Sequence, residues 1–90
     1  MHVSVSKIFC EPTYEGGCTD WKDYKLEAFT DRQYSVEECY AMCLKSTECA
    51  GFFLKTDTKH CHLSRKGCSK TQFPSLTYYS LEDCRFGITA

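Results

Sequence analysis

The stretch that decides the fold is residues 35–63, which read SVEECYAMCLKSTECAGFFLKTDTKHCHL. It opens with a capping box: the Ser35 hydroxyl can accept one free amide at the start of a helix, and the Glu38 side chain can reach back to another. Tyr34 stands just before the box, where a hydrophobic staple is expected. We therefore predict a helix from about Val36 to Lys45, and its single apolar stripe comprises Val36, Cys39, Tyr40 and Cys43.

After the helix, the same stretch changes to a strand pattern. Residues 50–54 form an apolar run of strand length, residues 56–59 are typical of a turn, and residues 60–63 alternate like the second arm of a hairpin. Cys61 lies in the middle of this second arm, which could run beneath the helix. Cys39 and Cys43 are four residues apart and share one helix face, so each needs a partner elsewhere.

Outside this stretch the sequence predicts four further segments: an irregular arm at 1–18, a half-exposed strand at 21–29, a loop at 64–75 and a last short strand at 76–79. The predicted fold class is therefore α+β, a small disulfide-rich domain in which one helix packs on an antiparallel β-sheet. We expect the domain to span residues 10–84, with a flexible N-terminal arm at 1–9 and a C-terminal tail at 85–90.

The composition of the chain excludes several other classes. Leu, Ile, Val and Phe make up 17 of the 90 residues, which is too few for a strong core. A net charge of −1 and an aromatic content of 14% argue against disorder. The sequence has no run of about 18 apolar residues, the length needed to span a membrane. Residues 1–10 also lack the pattern of a signal peptide. With 8 cysteines, the chain is expected to be a piece of a longer secreted protein, located outside the cell or in a secretory organelle before release.

Eight cysteines can pair in about 105 ways, and their positions alone do not choose among these pairings. Zinc binding is the rival interpretation, because zinc-compatible ligand types occur at Cys39, Cys43, Cys49, His60, Cys61 and His62. However, the sequence has no C-x2-C pair, and on a strand the two histidines would point away from Cys61. The even number of cysteines also favours pairing, so we predict disulfides, no metal and no cofactor.

The cysteine spacing resembles that of the PAN/apple domain family. The match runs Ser35-x-x-Glu38-Cys39-x3-Cys43-x5-Cys49-x-Gly51-Phe52 and then Cys61-x-Leu63, with Cys10 and Cys84 as an outer pair. It is similar above all to the apple modules of secreted parasite adhesins and of plasma proteases. In that family a helix carries the first two of these cysteines, and an apolar strand follows the third.

The resemblance also implies a disulfide pattern, which consists of Cys39–Cys61, Cys43–Cys49 and Cys10–Cys84. Cys18 and Cys68 depart from this six-cysteine pattern, and we predict that they form a fourth bridge because they are left over together. A free or intermolecular Cys18 is one alternative. Exchanged partners for Cys10 and Cys18 are another.

The sequence carries no G-x-S-x-G, no H-E-x-x-H and no glycine-rich phosphate loop, so we predict that the protein is not an enzyme. The resemblance implies a binding role instead, because apple domains bind protein partners and some recognise galactose-type glycans. Basic side chains after residue 50 would suit an anionic partner, and an exposed aromatic residue would suit a sugar or a protein hot spot. The candidate ligand-binding residues are Lys55, Lys59, His60, His62, Arg65, Lys66, Tyr78 and Tyr79, with Trp21 and Tyr24 as similar aromatic candidates.

We therefore expect an extracellular adhesion module that binds a protein or a carbohydrate, for example as one domain of a host-cell adhesin. The partner would be a protein or an anionic or galactose-type glycan on a cell surface. Nucleic acid is not expected, because the net charge is close to zero. The alternative is a spacer module of a tandem array without a ligand of its own. A secreted inhibitor would need a rigid exposed loop, for which residues 64–75 are the candidate.

Overall fold

The computed structural model of this chain describes residues 6–88, with side chains described from residue 8 to residue 85. In chain order its elements are β1 Ser6–Cys10, β2 Tyr14–Glu15, β3 Gly17–Thr19, α1 Trp21–Tyr24, β4 Lys25–Phe29, α2 Val36–Leu44, β5 Gly51–Lys55, β6 Cys61–Ser64, β7 Ser69–Thr71, β8 Leu76–Ser80 and β9 Cys84–Ile88, with a 3-10 turn at Leu81–Asp83. The outer parts of the predicted arm and tail, at 1–5 and 89–90, lie outside the described residues.

The strands form three antiparallel sheets. The main sheet has five strands in the order β2-β8-β5-β6-β4, and the pairs β1–β9 and β3–β7 form two small sheets. Helix α2 packs on β5, β6 and β1. Because the chain combines helices, a mostly antiparallel sheet and four disulfides, the predicted class of small disulfide-rich α+β domain is confirmed.

Helix α2 begins where its capping box predicts. The Glu38 amide donates to the Ser35 hydroxyl over 3.1 Å, and the Ser35 amide donates to the Glu38 carboxylate over 2.9 Å. The helix ends at Leu44, and Lys45, the predicted last residue, forms its C-cap. Its buried residues are Cys39, Tyr40 and Cys43, which belong to the core.

Alternation along β5 gives the main sheet two different faces. Phe52 and its cross-strand neighbour Leu63 lie on the face towards α2. Phe53 and its cross-strand neighbours His62 and Tyr78 lie on the opposite face, because successive residues of a strand point to opposite sides. The core between the sheet and α2 comprises Tyr34, Cys39, Tyr40, Cys43, Cys49, Phe52, Leu54, Cys61 and Leu63.

The cysteines form the four disulfides that the resemblance and the remaining pair predicted. One bridge joins α2 to β6, one closes the turn after α2, one joins β1 to β9, and one joins β3 to the residue before β7; these are Cys39–Cys61, Cys43–Cys49, Cys10–Cys84 and Cys18–Cys68. The first two bridges are buried in the core. They supply much of the apolar contact that a chain this short cannot obtain from aliphatic side chains alone.

Three segments differ from the prediction made from the sequence. The described part of the predicted arm, residues 6–18, is not wholly irregular, because it contains β1, β2 and the start of β3, and β1 pairs with β9 in the predicted tail. The strand predicted at 21–29 starts only at Lys25, because residues 21–24 form the single helical turn α1. The predicted loop 64–75 contains β7. The two small sheets pair residues that are far apart in the sequence, so the local pattern does not show them. Within residues 6–88, no helix has the length and apolar character needed to cross a bilayer.

Candidate functional site

The sheet face opposite α2 carries a row of aromatic side chains. Phe53 points onto this face, yet only 2% of its surface is exposed. It is covered by Trp21 from α1 and by Tyr78 from β8, at ring-centre distances of 5.4 and 4.7 Å. Tyr14 from β2 packs in turn on Tyr78 at 5.0 Å. Aromatic packing therefore stabilises this face separately from the core beneath α2.

Trp21 is positioned by the single turn α1. Asp20, just before it, adopts the left-handed conformation with φ 62°, and the Asp23 amide donates to the Asp20 carbonyl over 2.9 Å. The indole ring stands edge-on to Phe53, with 86° between the ring planes, and lies 6.2 Å from the ring of His62. Trp21 is half-buried, so part of its ring stays open to solvent.

The aromatic row forms one wall of a depression on this face, and the strand pair β3–β7 forms the other. Gly16, with φ 142°, turns the chain from β2 into β3, and its amide donates to the Leu76 carbonyl over 2.9 Å. β3 pairs with β7 alone, and the Cys18–Cys68 bridge ties the two segments together. A methyl group on Gly17 would lie 3.0 Å from Cβ of Phe73, so glycine allows a close approach here.

Between these walls lies a cavity of about 260 Å³. This volume is near the lower end for ligand pockets, about 300 Å³, and gives room for one small ring. The cavity is lined by Gly17, Cys18, Trp21, Phe53, Lys55, His62, Phe73 and Leu76. Phe73 is 53% exposed at its edge. An open groove of about 530 Å³ continues past Phe73 and Leu76, and its other lining residues are Glu15, Thr56, Gln72, Pro74 and Ser75.

The polar groups of the cavity are Lys55 and His62. Lys55 ends β5, and its backbone amide donates to the His60 carbonyl over 3.1 Å, which closes the hairpin turn. The pKa of His62 is lowered from 6.5, first by burial and then by the positive charges of His60 and Lys55. His62 is therefore neutral at pH 7, and its imidazole can donate one hydrogen bond and accept another.

The structure brings Lys55 and His62 from the predicted ligand-binding residues into the cavity, together with the aromatic candidate Trp21. Tyr78 lies beside it on the same face. Tyr79 does not, because it faces α2 and stacks on Phe52 at 5.2 Å. Tyr24, the other aromatic candidate, is half-buried next to Gly67.

The basic side chains do not gather into one patch. Lys59 and His60 lie at the turn of the β5–β6 hairpin, whereas Arg65 and Lys66 follow β6 at its other end, about 17 Å away at the rise of a strand. Arg65 is moreover ion-paired with Glu48. Lys70 on β7 lies over the Tyr14 ring at 5.3 Å.

The cavity also contains residues that the sequence interpretation missed, namely Phe53, Phe73, Leu76, Gly17 and the half-buried Cys18. One signal could have indicated the first of them. Phe52 and Phe53 are adjacent in a predicted strand, so one of them must point away from the helix and needs separate cover. Nothing in the local sequence indicates that Phe73, in a predicted loop, supplies an edge of the cavity.

Comparison of the chain with protein-family models, curated proteins and solved structures gives no match. The fold and the site define a class: a small disulfide-rich α+β domain with an aromatic cavity on the sheet face away from its main helix. Such a density of disulfides is typical of extracellular proteins. Among the side chains from residue 8 to residue 85, no group of three or more potential ligands is arranged to hold a metal ion.

Proposed function

We propose that this chain is an extracellular recognition module of the PAN/apple type, which acts by binding and not by catalysis. The helix-on-sheet arrangement and the pairs Cys39–Cys61, Cys43–Cys49 and Cys10–Cys84 support the proposal, since they agree with the pattern of that family. The module would be one domain of a larger secreted protein, such as a host-cell adhesin. Its disulfides would form and persist in an oxidising setting.

The proposed ligand is a sugar unit of a cell-surface glycan, bound in the cavity. The observation that carries this proposal is an open cavity with aromatic walls and two polar side chains in its lining. A sugar ring has apolar faces made of C–H groups, which pack on aromatic rings, and hydroxyls at its edge, which need hydrogen-bond partners. Trp21 and Phe73 offer the rings, while Lys55 and His62 offer the polar groups.

The open groove next to the cavity supports an extended glycan as the ligand. The cavity and the groove share Phe73 and Leu76, so a glycan whose terminal unit occupies the cavity can continue into the groove. The groove adds polar side chains such as Glu15 and Gln72, which can bond to further hydroxyls. A site of this size binds one sugar weakly, and several modules in tandem would raise the overall avidity.

A glycan array tests the proposal with the fully oxidised protein presented in multivalent form. We expect Phe73→Ala to weaken binding about tenfold, because it removes the exposed ring at the edge of the cavity. Phe9→Ala is the matched control, since Phe9 is 51% exposed, close to the 53% of Phe73, but lies on β1 outside the cavity.

Two results of this array would contradict glycan binding in the cavity. One is binding that Phe73→Ala leaves unchanged, and the other is an equal loss in the two variants. A silent array combined with specific capture of a host surface protein would favour a protein ligand instead.

A further inference from the structure

Lys55 gives the cavity a positive charge that no group in its wall balances. Lys55 is half-buried, and none of the eight residues that line the cavity is acidic. Among the described side chains the ion pairs are Arg32–Glu38, Arg65–Glu48 and Arg85–Glu11, and none involves Lys55. An anionic ligand in the cavity would therefore meet a cation that none of these ion pairs engages.

Asp57 is the acidic residue that follows Lys55 most closely along the hairpin, but its carboxylate is bonded elsewhere. Its carboxylate accepts the Thr58 amide over 2.7 Å, and its side chain is exposed at the turn. That hydrogen bond is the main reason why the pKa of Asp57 is lowered, and the charge of Lys55 is a minor one. Asp57 therefore leaves the Lys55 ammonium available to a ligand.

His62 adds a hydrogen bond on the same face of the sheet. It lies one strand away from Lys55 and contacts Trp21 edge-on at a ring distance of 6.2 Å. Because burial and the neighbouring positive charges lower its pKa, the imidazole is neutral at pH 7. The cavity thus combines one cation, one neutral donor and acceptor, and the Trp21 ring.

We propose that the cavity selects an acidic sugar, whose ring carries a single negative charge as a carboxylate or a sulfate ester, over a neutral sugar of the same shape. The anionic group pairs with Lys55, and the sugar ring lies against Trp21. The single cation in the wall matches a single negative charge, and a charge-assisted hydrogen bond is about twice as strong as a neutral one. This inference rests on the proposed function and adds the charge of the sugar to it.

The test is an NMR titration of the oxidised 90-residue chain at pH 7.5 and fixed ionic strength with D-galacturonate, D-galactose 6-sulfate and D-galactose. Trp21 is the single tryptophan of the chain, so one indole N–H resonance reports on the cavity. We expect at least one acidic sugar to bind about tenfold or more tightly than D-galactose. The comparison of the two acidic sugars tells carboxylate from sulfate.

Three variants distinguish the loss of the Lys55 charge from a general effect of substitution on folding. Lys55→Met should abolish the preference for acidic sugars, whereas Lys55→Arg should retain it. Lys66→Met removes an exposed lysine outside the cavity and should change nothing. Added salt should reduce the preference, because it screens a half-exposed ion pair.

The outcomes separate this inference from the proposed function. Equal affinity for acidic and neutral sugars, or a preference that survives Lys55→Met, would overturn the selection for charge while sugar binding in the cavity still stands. No shift of the Trp21 indole resonance with any of the three sugars would overturn both.

Discussion

The Cys18–Cys68 bridge is predicted to be dispensable for the core and necessary for the cavity. Cys18 lines the cavity, and β3 pairs with β7 alone, so this bridge is the covalent tie of that wall. The buried bridges Cys39–Cys61 and Cys43–Cys49 remain when it is removed. We expect the double variant Cys18→Ser/Cys68→Ser to fold around α2 and the main sheet and to lose ordered cavity walls.

The loss of stability follows from the restriction that the bridge places on the unfolded chain. A separation of 50 residues alone would give about 4 kcal/mol. The other bridges shorten the route between Cys18 and Cys68, because the chain can pass through Cys39–Cys61 over 28 residues or through Cys10–Cys84 over 24 residues. Two such routes in parallel act like one loop of about 13 residues, for which the expected loss is about 3 kcal/mol.

The assay is thermal unfolding followed by circular dichroism, together with the sugar titrations monitored at Trp21. A loss of about 3 kcal/mol lowers the Tm of a domain this size by about 12–24 °C. The matched control is Cys10→Ser/Cys84→Ser, which removes another half-buried bridge. The route that remains between these two positions runs through Cys18–Cys68 over 24 residues, so the expected loss is similar, about 3.5 kcal/mol. The control should keep sugar binding at temperatures where it is folded.

Two results would contradict the predicted role of the Cys18–Cys68 bridge. Sugar binding and a Trp21 indole resonance that are unchanged in Cys18→Ser/Cys68→Ser would mean that the bridge does not hold the cavity wall. Equal loss of binding in the Cys10→Ser/Cys84→Ser control would mean that the effect is one of overall stability.

Three further predictions concern single side chains. A Cβ atom on Gly51 would clash with the Tyr78 hydroxyl and lie 2.7 Å from the backbone carbonyl oxygen of Tyr79, so Gly51→Ala should lower the free energy of unfolding in urea by about 1–3 kcal/mol, and an unchanged value would contradict this packing. The hydrogen bond from Arg32 and that from a backbone amide hold the pKa of Glu38 at about 2, below its ordinary 4.5. The stabilisation that the Glu38 carboxylate provides through these hydrogen bonds is therefore complete above pH 4.5 and lost as the pH falls towards 2. The Tm difference between the wild type and Glu38→Gln should close over that window, and a constant difference would argue against the ion pair. Burial lowers the pKa of His62 below 6.5, so the unfolded state takes up a proton first as the pH falls through 6.5 and stability declines. His62→Gln should reduce this decline, and an NMR titration midpoint above 6.5 would refute the prediction.

The elements around the core could be predicted because local sequence determines them. The capping box of Ser35 and Glu38 fixes the start of α2, and alternation fixes the β5–β6 hairpin. The small sheets could not be predicted, since β1 and β9 pair residues more than 70 positions apart, and β3 and β7 pair across about 50. β3 and β7 have only three residues each, and all four strands find their partners far away in the sequence, so long-range pairing and disulfides decide these sheets, not strand propensity.

The sequence predicts only part of the candidate site, because tertiary packing brings the residues of the cavity together. Lys55 and His62 were named from the sequence among the candidate ligand-binding residues, but the hairpin register separates them from the other basic candidates and leaves these two facing an aromatic cavity. Phe73 and Trp21 come from segments on either side of the core stretch, and they meet only because β3 and β7 pair over the sheet. A sequence pattern shows which face of a strand a residue occupies, but not what covers that face.

The most direct test of sugar binding in this cavity is an amide chemical-shift map of the 15N-labelled chain during titration with D-galacturonate. We expect the largest changes to fall on the Trp21 indole and on the amides of β3 and of Phe53 and Lys55, while the amides of α2 stay unchanged. Largest changes on α2, or at Arg65 and Lys66, with a stationary Trp21 indole would contradict it.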